Sequence, residues 1–285
     1  MDLMPEEIRK RLDVAASERL PMLSRAFVRK LIDNERITVN GEQSKAGHRL
    51  RLGDTLEIMF DPMELEKIDS IDLPILYEDN DVMVIDKPTG VISHARGKHW
   101  NEPSVASFVR EKTAQSGERA GIVHRLDRAT SGVMICAKNQ AALIWLQKQF
   151  ADRLVEKSYV AIVTGEMSPA AAIIDMPIER NPKTPQTFRV GANGKSAVTG
   201  YEVLEKTDLH TKLLLKPKTG RTHQLRVHLE EVGHPIVGDI LYEGEAADRL
   251  YLHAYQLRLT LPDGSLHSFE APVPDEFSKI MDKAA

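Results

Sequence analysis

The feature that most constrains the fold is a series of short runs of β-branched and apolar residues between residues 76 and 217. Turn-forming pairs such as Asp79-Asn80 separate the runs, and few helical patterns lie between them. Strands that follow one another so closely predict an α+β domain with a mostly antiparallel, mixed sheet and flanking helices. The predicted strands cover residues 76–78, 82–86, 121–123, 132–137, 157–165, 173–178, 187–190, 196–206 and 209–217.

One stretch, residues 121–139, reads GIVHRLDRATSGVMICAKN and places a polar segment between two of these runs. A carboxylate between guanidinium groups, on a loop held by two buried strands, stays ionised and keeps one direction, which a nucleophile or base requires. Asp127 is therefore the candidate for the chemistry. The loop alone leaves a second interpretation open, in which Asp127 forms a surface salt bridge with Arg125 or Arg128.

Composition excludes several classes of protein. The 285 residues are 42% hydrophobic, which suffices for a substantial core and for two domains. No apolar run approaches the ~20 residues of a membrane span, and residues 1–11 are too charged for a secretion signal, so we expect a cytoplasmic protein without a membrane partner. The single cysteine, Cys136, lies in an apolar run and is expected to be a buried thiol.

The net charge of −4 does not indicate nucleic-acid binding, so such binding has to rest on local basic clusters. One cluster is loop 89–101, in which basic side chains stand beside Trp100, a composition suited to phosphate and base contact. The other cluster lies in the first sixty residues.

These sixty residues predict a small α/β domain. A helix over residues 5–18 precedes a second helix that Ser24 caps. Strands over residues 37–40 and 52–60 follow, the second of them broken by a turn at Gly53-Asp54. Four basic residues lie on the polar side of the second helix and at its end: Arg25, Arg29, Lys30 and Arg36. A charged helix face is often only solvated, so composition alone leaves its role open.

The order of the residues adds to this composition. Residues 11–58 resemble the small RNA-binding module first described in a small-subunit ribosomal protein, often called the alpha-L motif. The resemblance implies that the helix carrying Arg25, Arg29 and Lys30, with the turn at residues 39–41, meets structured RNA. Cations at intervals of four or five on a rigid helix match phosphate spacing and give salt-sensitive affinity with little sequence preference. We therefore expect a positioning domain without chemistry of its own.

A second functional cluster, residues 219–239, reads TGRTHQLRVHLEEVGHPIVGD. Thr222 is the expected cap of a helix that stops at Gly233, which places Arg221 at the mouth of that helix. From there we expect Arg221 to pair with Asp127, although a phosphate or a surface acid is an alternative partner. The histidines of the cluster also leave a zinc-dependent hydrolase as a further hypothesis; they are His223, His228 and His234.

Several motifs occur in order through the second part of the chain: VIDKPTG at 84–90, GIVHRLDRATSG at 121–132, EKSYVAIV at 156–163, TGRTHQLRVH at 219–228 and HPIVGD at 234–239. In this order they resemble the pseudouridine synthases of the ribosomal large-subunit uridine type. The resemblance implies that Asp127 is the catalytic residue, that Tyr159 contacts the target base and that Arg221 pairs with the acid.

The same resemblance describes the substrate pocket. It implies that Leu225 lines the pocket and that Arg125 takes the space vacated by an extruded nucleotide. We place His124 in this pocket as well, and we expect Arg128 to contact RNA.

The expected function is therefore the isomerisation of specific uridines to pseudouridine in structured RNA, with large-subunit rRNA favoured over tRNA. The resemblance implies no cofactor and no metal. The predicted domains are residues 1–60 for RNA binding, 61–72 as a linker and 73–285 for catalysis, in a monomer. The alternative function is that of a non-catalytic rRNA-binding assembly protein. Attack of Asp127 on the sugar and formation of a glycal both remain open as mechanisms.

Overall fold

The computed structural model describes residues 3–21, 23–60, 70–94, 102–113, 115–117 and 119–283. Most of the predicted linker, residues 61–69, and the basic part of loop 89–101 lie outside these residues. The chain divides into two compact units, Met1–Asp69 with Arg96–Glu102 and Ser70–Ala95 with Pro103–Ala285. Within the described residues, every helix is too short or too polar to span a membrane.

The first unit is built around a small apolar core that includes Leu12, Val28 and Ile37. Ser24 caps its second helix as predicted, because the Ser24 side chain accepts a hydrogen bond from the backbone N–H of Phe27. The elements are a 3-10 turn at Pro5–Glu7, α1 at Leu12–Arg19, α2 at Arg25–Asp33 and the antiparallel strands β1 at Ile37–Val39 and β2 at Leu56–Ile58.

Two predictions for this unit are wrong in part. The helix predicted over residues 5–18 is interrupted, since Arg9 takes the left-handed conformation with φ 69° and α1 begins only at Leu12. The break predicted at Gly53-Asp54 is present, since Gly53 has φ 92° in a turn, but the strand after it is confined to β2 instead of continuing to residue 60.

A nine-stranded sheet forms the centre of the second unit. Its strands are β3 Ile75–Glu78, β4 Val82–Lys87, β5 Ser131–Ala137, β6 Glu156–Thr164, β7 Ala171–Asp175, β10 Val198–Lys206, β11 His210–Pro217, β12 Leu252–Thr260 and β13 Leu266–Glu270. They lie in the order β3-β4-β5-β12-β6-β11-β10-β7, with β13 beside β12. Among the pairs described, β5 with β12 is parallel and the others are antiparallel, so the predicted α+β class with a mostly antiparallel mixed sheet is confirmed. A separate antiparallel pair consists of β8 Ile178–Arg180 and β9 Phe188–Val190.

Four helices flank this sheet: α3 Val105–Lys112, α4 Gln140–Ala151, α5 Gln224–Glu231 and α6 Glu276–Lys283. The side chains of Ser104 and Asn139 cap α3 and α4. Leu146 of α4 is buried, whereas Leu154 is 59% exposed because α4 ends three residues before it.

The structure corrects two predicted strands. Residues 121–123 contribute one isolated bridge, from Ile122 to Cys136, rather than a strand. Gly121 has φ 72° in a turn, and a Cβ there would lie 2.2 Å from the carbonyl oxygen of Ala137. The run at 173–178 divides into β7 and β8, because Pro177 has no N–H for a sheet ladder.

Candidate active site

One pocket in the second unit brings together the loop before β5, strand β6, the end of β11 and the start of α5. Its empty volume is about 650 Å³, part of it open to solvent. Five of the residues predicted from the sequence line it: Arg125, Asp127, Tyr159, Arg221 and Leu225. The fold therefore collects side chains that are up to 100 positions apart in the chain.

The loop that carries Asp127 is held in place by the segment that follows β4. The Ser93 hydroxyl donates to the carbonyl of Leu126 (2.8 Å) and accepts from the N–H of the same residue (3.1 Å). Lys87 is fully buried, and burial lowers its pKa to about 7. Its ammonium donates to three backbone carbonyls, those of Pro88 at 2.9 Å, Val91 at 2.7 Å and Arg128 at 3.3 Å.

Arg226 is the cation that lies against Asp127. Its Nη1 atom is 3.7 Å from Oδ2 of Asp127, while its Nε and Nη2 atoms donate to the two carboxylate oxygens of Asp239 at 2.6 and 2.7 Å. Burial disfavours the charge of Arg226, but the hydrogen bonds and the charge of Asp239 outweigh it and raise the pKa of Arg226. The guanidinium also stacks over the ring of Tyr242, 4.7 Å from its centroid. Its direction is thus fixed from two sides.

The predicted pairing of Arg221 with Asp127 is not the one observed. Nε of Arg221 donates to the carbonyl of Ser196 at 3.0 Å, and within the residues described no ion pair joins Arg221 to an acid. Arg221 and Asp127 nevertheless line the same pocket.

The start of α5 explains this difference. The residue before the helix is His223 in the left-handed conformation with φ 56°, so Thr222 is not the cap that the sequence predicted. The side-chain carbonyl of Gln224 instead accepts from the N–H of Arg221 (3.0 Å) and from the hydroxyl of Thr219 (2.7 Å). With the helix beginning there, Arg221 bonds to Ser196, and Arg226, the third residue of α5, is the arginine that lies beside Asp127.

His223 is the second group beside Asp127. Its Nε2 atom lies 3.8 Å from Oδ2 of Asp127, and its Nδ1 atom is 2.7 Å from the hydroxyl of Tyr242. Burial lowers the pKa of His223, so its imidazole is neutral near pH 7 and forms no ion pair with the acid.

Tyr159 and Leu225 form the apolar part of the pocket. Tyr159 lies on β6, and burial together with the charge of Asp127 raises the pKa of its phenol, which stays neutral. Leu225 lies on α5 and is 7% exposed. Such a wall suits the flat face of a nucleobase.

The remaining predicted residues of the loop have different surroundings. Arg125 is exposed at the pocket rim. His124 lines an adjoining pocket, where its ring stacks on Phe150 (4.7 Å between centroids) and its Nε2 accepts the N–H of Ile135 at 3.1 Å. Burial lowers the pKa of His124 to about 3, so it is neutral. Arg128 donates to the carbonyl of Gly90 at 3.3 Å and so supports the loop.

In the first unit, a buried carboxylate organises the predicted RNA-binding arginines. Asp13 is fully buried and accepts hydrogen bonds from Arg11, Arg25 and Arg29. Burial alone would raise the pKa of Asp13, but these three hydrogen bonds lower it to about 2. Half of the side-chain surface of Arg25 and Arg29 remains exposed. Lys30 is exposed, and Nε of Arg36 donates to the carbonyl of Met59.

The histidines of the zinc hypothesis do not form a cluster. His228 bonds to Thr199 and to the carbonyl of Met176, while His234 lies by the carbonyl of Thr164. No group of three potential metal ligands occurs among the residues described.

Three functional side chains were missed from the sequence. Arg226 is the second arginine of TGRTHQLRVH, Asp239 ends HPIVGD, and Lys87 belongs to VIDKPTG. All three stood in motifs that the sequence already singled out. Their common signal is a charged residue next to an apolar run, because a charge that is buried there needs a hydrogen-bonding or oppositely charged partner.

Two family models match the sequence, one described as RNA pseudouridylate synthase over residues 81–231 and one described as S4 domain over residues 10–56. The chain is 34% identical over 287 residues to the ribosomal large subunit pseudouridine synthase D of Nitrosomonas europaea, covering 95% of this chain and 83% of the relative. The protein of the same name from Salmonella typhimurium is 33% identical over 298 residues, covering 97% and 91%. Among solved structures, human RNA pseudouridylate synthase domain containing 1 is similar with a TM-score of 0.60 and 31% identity, over 70% of this chain and 83% of that one.

Proposed function

Because the chain belongs to the RNA pseudouridylate synthase family, we propose that it isomerises uridines of large-subunit rRNA to pseudouridine with Asp127 as the catalytic carboxylate. The observation that carries the proposal is the environment of Asp127. Its carboxylate projects into a pocket, on a loop held by buried Lys87 and Ser93, beside a cation that a second acid has already fixed.

The reaction needs one oriented acid. The bond between N1 of uracil and C1′ of the ribose breaks, the base turns, and a bond forms between C5 and C1′; C5 then loses its proton and N1 carries one. Asp127 acts either as a nucleophile at C1′ or as a base that removes the proton from C2′ to give a glycal. Each route leaves the redox state unchanged and returns the carboxylate at the end.

The neighbouring side chains fit this chemistry. Arg226 keeps the carboxylate in one orientation, and the phenol of Tyr159 with Leu225 supplies a surface against which the detached base can turn without leaving. A target uridine must leave its base stack before Asp127 can reach its C1′ atom. Arg125, exposed at the rim, is placed to occupy the vacated space.

The choice of RNA rests on the relatives, whose names specify the large ribosomal subunit. The first unit, which matches the S4 domain model, would dock structured RNA through Arg25, Arg29 and Lys30. We assign residues 1–60 to docking and 73–285 to catalysis. The monomeric state and the cytoplasmic location stay predictions.

A non-catalytic rRNA-binding assembly protein is the competing function. Such a protein has no need for a carboxylate that a buried Arg–Asp pair orients inside a pocket, because a buried ion pair contributes little to stability by itself. The organisation around Asp127 therefore favours catalysis.

The test is the comparison of the wild-type protein with Asp127→Asn. Pseudouridines are mapped in rRNA and tRNA of cells with and without the gene, and release of tritium from C5 of labelled uracil is followed on the mapped rRNA fragment. The wild type is expected to release tritium and Asp127→Asn to release none, with RNA affinity nearly unchanged. Turnover by Asp127→Asn refutes the catalytic assignment, and a gene-dependent pseudouridine in tRNA alone refutes the rRNA assignment.

A further inference from the structure

A second pocket adjoins the one that holds Asp127 and differs from it in charge. It opens beside His124 and Phe150 and has an empty volume of about 1070 Å³, part of it open solvent. Five cationic residues and no carboxylate occur among the described residues that line it; the cations are Arg125, Arg153, Lys157, Lys218 and Arg221. We call this pocket the basic groove. It is conspicuous in a chain whose net charge is −4.

Lys157 indicates what the basic groove is built to hold. It is half-buried on β6, and burial together with the nearby charge of Arg153 lowers its pKa. Among the residues described, its ammonium has no hydrogen bond and no ion pair. A partly desolvated cation among other cations is costly unless an anion completes the site. Since no carboxylate is among the described residues that line the groove, an anionic ligand is the group that completes it.

The walls of the groove add a preference for a nucleotide over a bare anion. The rings of His124 and Phe150 are stacked, with an angle of 16° between their planes, and Val155 is buried beside them. His124 is neutral, as described above, so this wall is apolar and aromatic while the cations line the remainder. Aromatic surface next to a positive groove is the arrangement that proteins use for single-stranded nucleic acid.

We propose that the basic groove binds the phosphodiester backbone of the RNA next to the target uridine, as the strand leaves the active-site pocket. The two pockets share Arg125, Lys157, Tyr159 and Arg221, so a strand with one nucleotide at Asp127 passes directly into the groove. This inference rests on the proposed function and names the substrate contacts of its site. Arg153 and Lys218 line the groove and not the pocket of Asp127, so they report on the groove alone.

The experiment removes these two charges with Arg153→Gln and Lys218→Gln combined. The matched control is Lys206→Gln with Lys216→Gln, which removes two exposed charges from β10 and β11 outside both pockets. Binding of the mapped rRNA fragment is measured from 50 to 200 mM salt. The groove variant is expected to lose about tenfold or more in affinity, and its slope of log K against log salt is expected to flatten by about 1.4, since each single-strand phosphate contact contributes about 0.7. The control is expected to change affinity less than about twofold.

A second measurement locates the contact on the RNA. Neutral methylphosphonate linkages are placed one at a time on either side of the target uridine. At least one position is expected to weaken binding to the wild type while leaving the groove variant unaffected. The proposal is overturned if groove and control variants bind alike, or if every neutral linkage weakens wild type and groove variant equally.

These outcomes separate the groove from the proposed function. If the wild type binds the fragment with the predicted groove dependence but forms no pseudouridine, the function fails and the groove stands. If pseudouridine forms and the groove variant matches its control, the function stands and the groove fails. Failure of the wild type to bind the fragment overturns the groove as well.

Discussion

Oδ2 of Asp127 lies 3.7 Å from Nη1 of Arg226, and the other edge of the same guanidinium is bound by both oxygens of Asp239. The buried guanidinium of Arg226 thus contacts two carboxylates, that of Asp239 through two hydrogen bonds and that of Asp127 at a longer distance. The bidentate contact fixes the guanidinium, and the longer contact leaves the carboxylate of Asp127 available to a substrate.

Loss of this fixed cation is expected to remove most of the activity. Arg226→Gln should lower kcat by at least about 10²-fold, which corresponds to ~2.7 kcal/mol of transition-state stabilisation. Arg221→Gln, which removes the cation predicted from the sequence, should act mainly on KM. Tritium release under saturating RNA measures the difference.

Arg226→Gln also leaves Asp239 buried without its partner, a loss that costs roughly 3–5 kcal/mol of stability. Arg226→Gln combined with Asp239→Asn removes both charges and serves as the folding control, with thermal unfolding as the readout. If the double variant is stable and keeps its kcat, Arg226 does not position Asp127.

The arginines of the first unit are expected to control salt-dependent docking. Arg25→Ala with Arg29→Ala should weaken RNA binding and flatten its salt slope, while kcat at saturating RNA changes less than KM. Arg25→Lys with Arg29→Lys keeps both charges and should keep the slope. An unchanged slope in the alanine variant shows that RNA docks elsewhere.

The same arginines make the first unit sensitive to acid through Asp13. Its pKa is about 2 in the folded protein against an ordinary value of 3.8, so its contribution to stability is complete above that ordinary value and is lost as pH falls from about 4 to 2. The contribution is at most ~2 kcal/mol, because solvent screens the half-exposed arginines. Asp13→Asn should abolish this part of the pH dependence in urea unfolding. If the difference in unfolding free energy between wild type and Asp13→Asn does not change over that pH range, the prediction is wrong.

Lys87 is expected to hold the loop of Asp127 and to make the free energy of unfolding depend on pH in the alkaline range. Lys87→Met removes the hydrogen bond to Arg128 in the loop and the two that hold the supporting segment at Pro88 and Val91, and it should reduce kcat about tenfold or more. Because the folded pKa of about 7 lies below the ordinary 10.5, the unfolded state binds more protons between these values, and wild-type stability rises with pH there.

Urea unfolding of wild type and Lys87→Met at a series of pH values isolates this effect, because the contributions of the other titratable groups cancel in the difference between the two unfolding free energies. The difference in unfolding free energy should favour the wild type progressively from pH 7 to pH 10.5, with a limiting slope of about 1.4 kcal/mol per pH unit. A difference that falls with pH, or a variant with wild-type kcat, shows that Lys87 is not the group that supports the loop.

The sequence predicted much of the fold because most strands carry their own local signal. Strands β4, β6, β10 and β11 lie within two residues of their predicted ends, and both family resemblances are confirmed. Strands β12 and β13 were not predicted, although LHAYQLRLT alternates and a Pro-Asp-Gly turn follows it. The parallel pairing of β12 with β5 joins segments more than 100 residues apart, which no local pattern can indicate.

The site was predicted less completely for a different reason. Which of two arginines in TGRTHQLRVH reaches Asp127 depends on where α5 begins. Thr222 has the composition of a cap, but the left-handed turn at His223 and the side chain of Gln224 begin the helix instead. Tertiary contacts determine where α5 begins, and a local sequence pattern does not reveal them.

The central position of β12 has a consequence for the timing of enzyme activity during synthesis. The loop of Asp127 precedes β5, and Tyr159 lies on β6. These two strands are not neighbours in the sheet, because β12, residues 252–260, lies between them. On a translating ribosome, both halves of the pocket leave the exit tunnel well before the strand that spaces them. We therefore expect a nascent chain to lack a complete pocket until the late strand has emerged and aligns the acid with the aromatic ring.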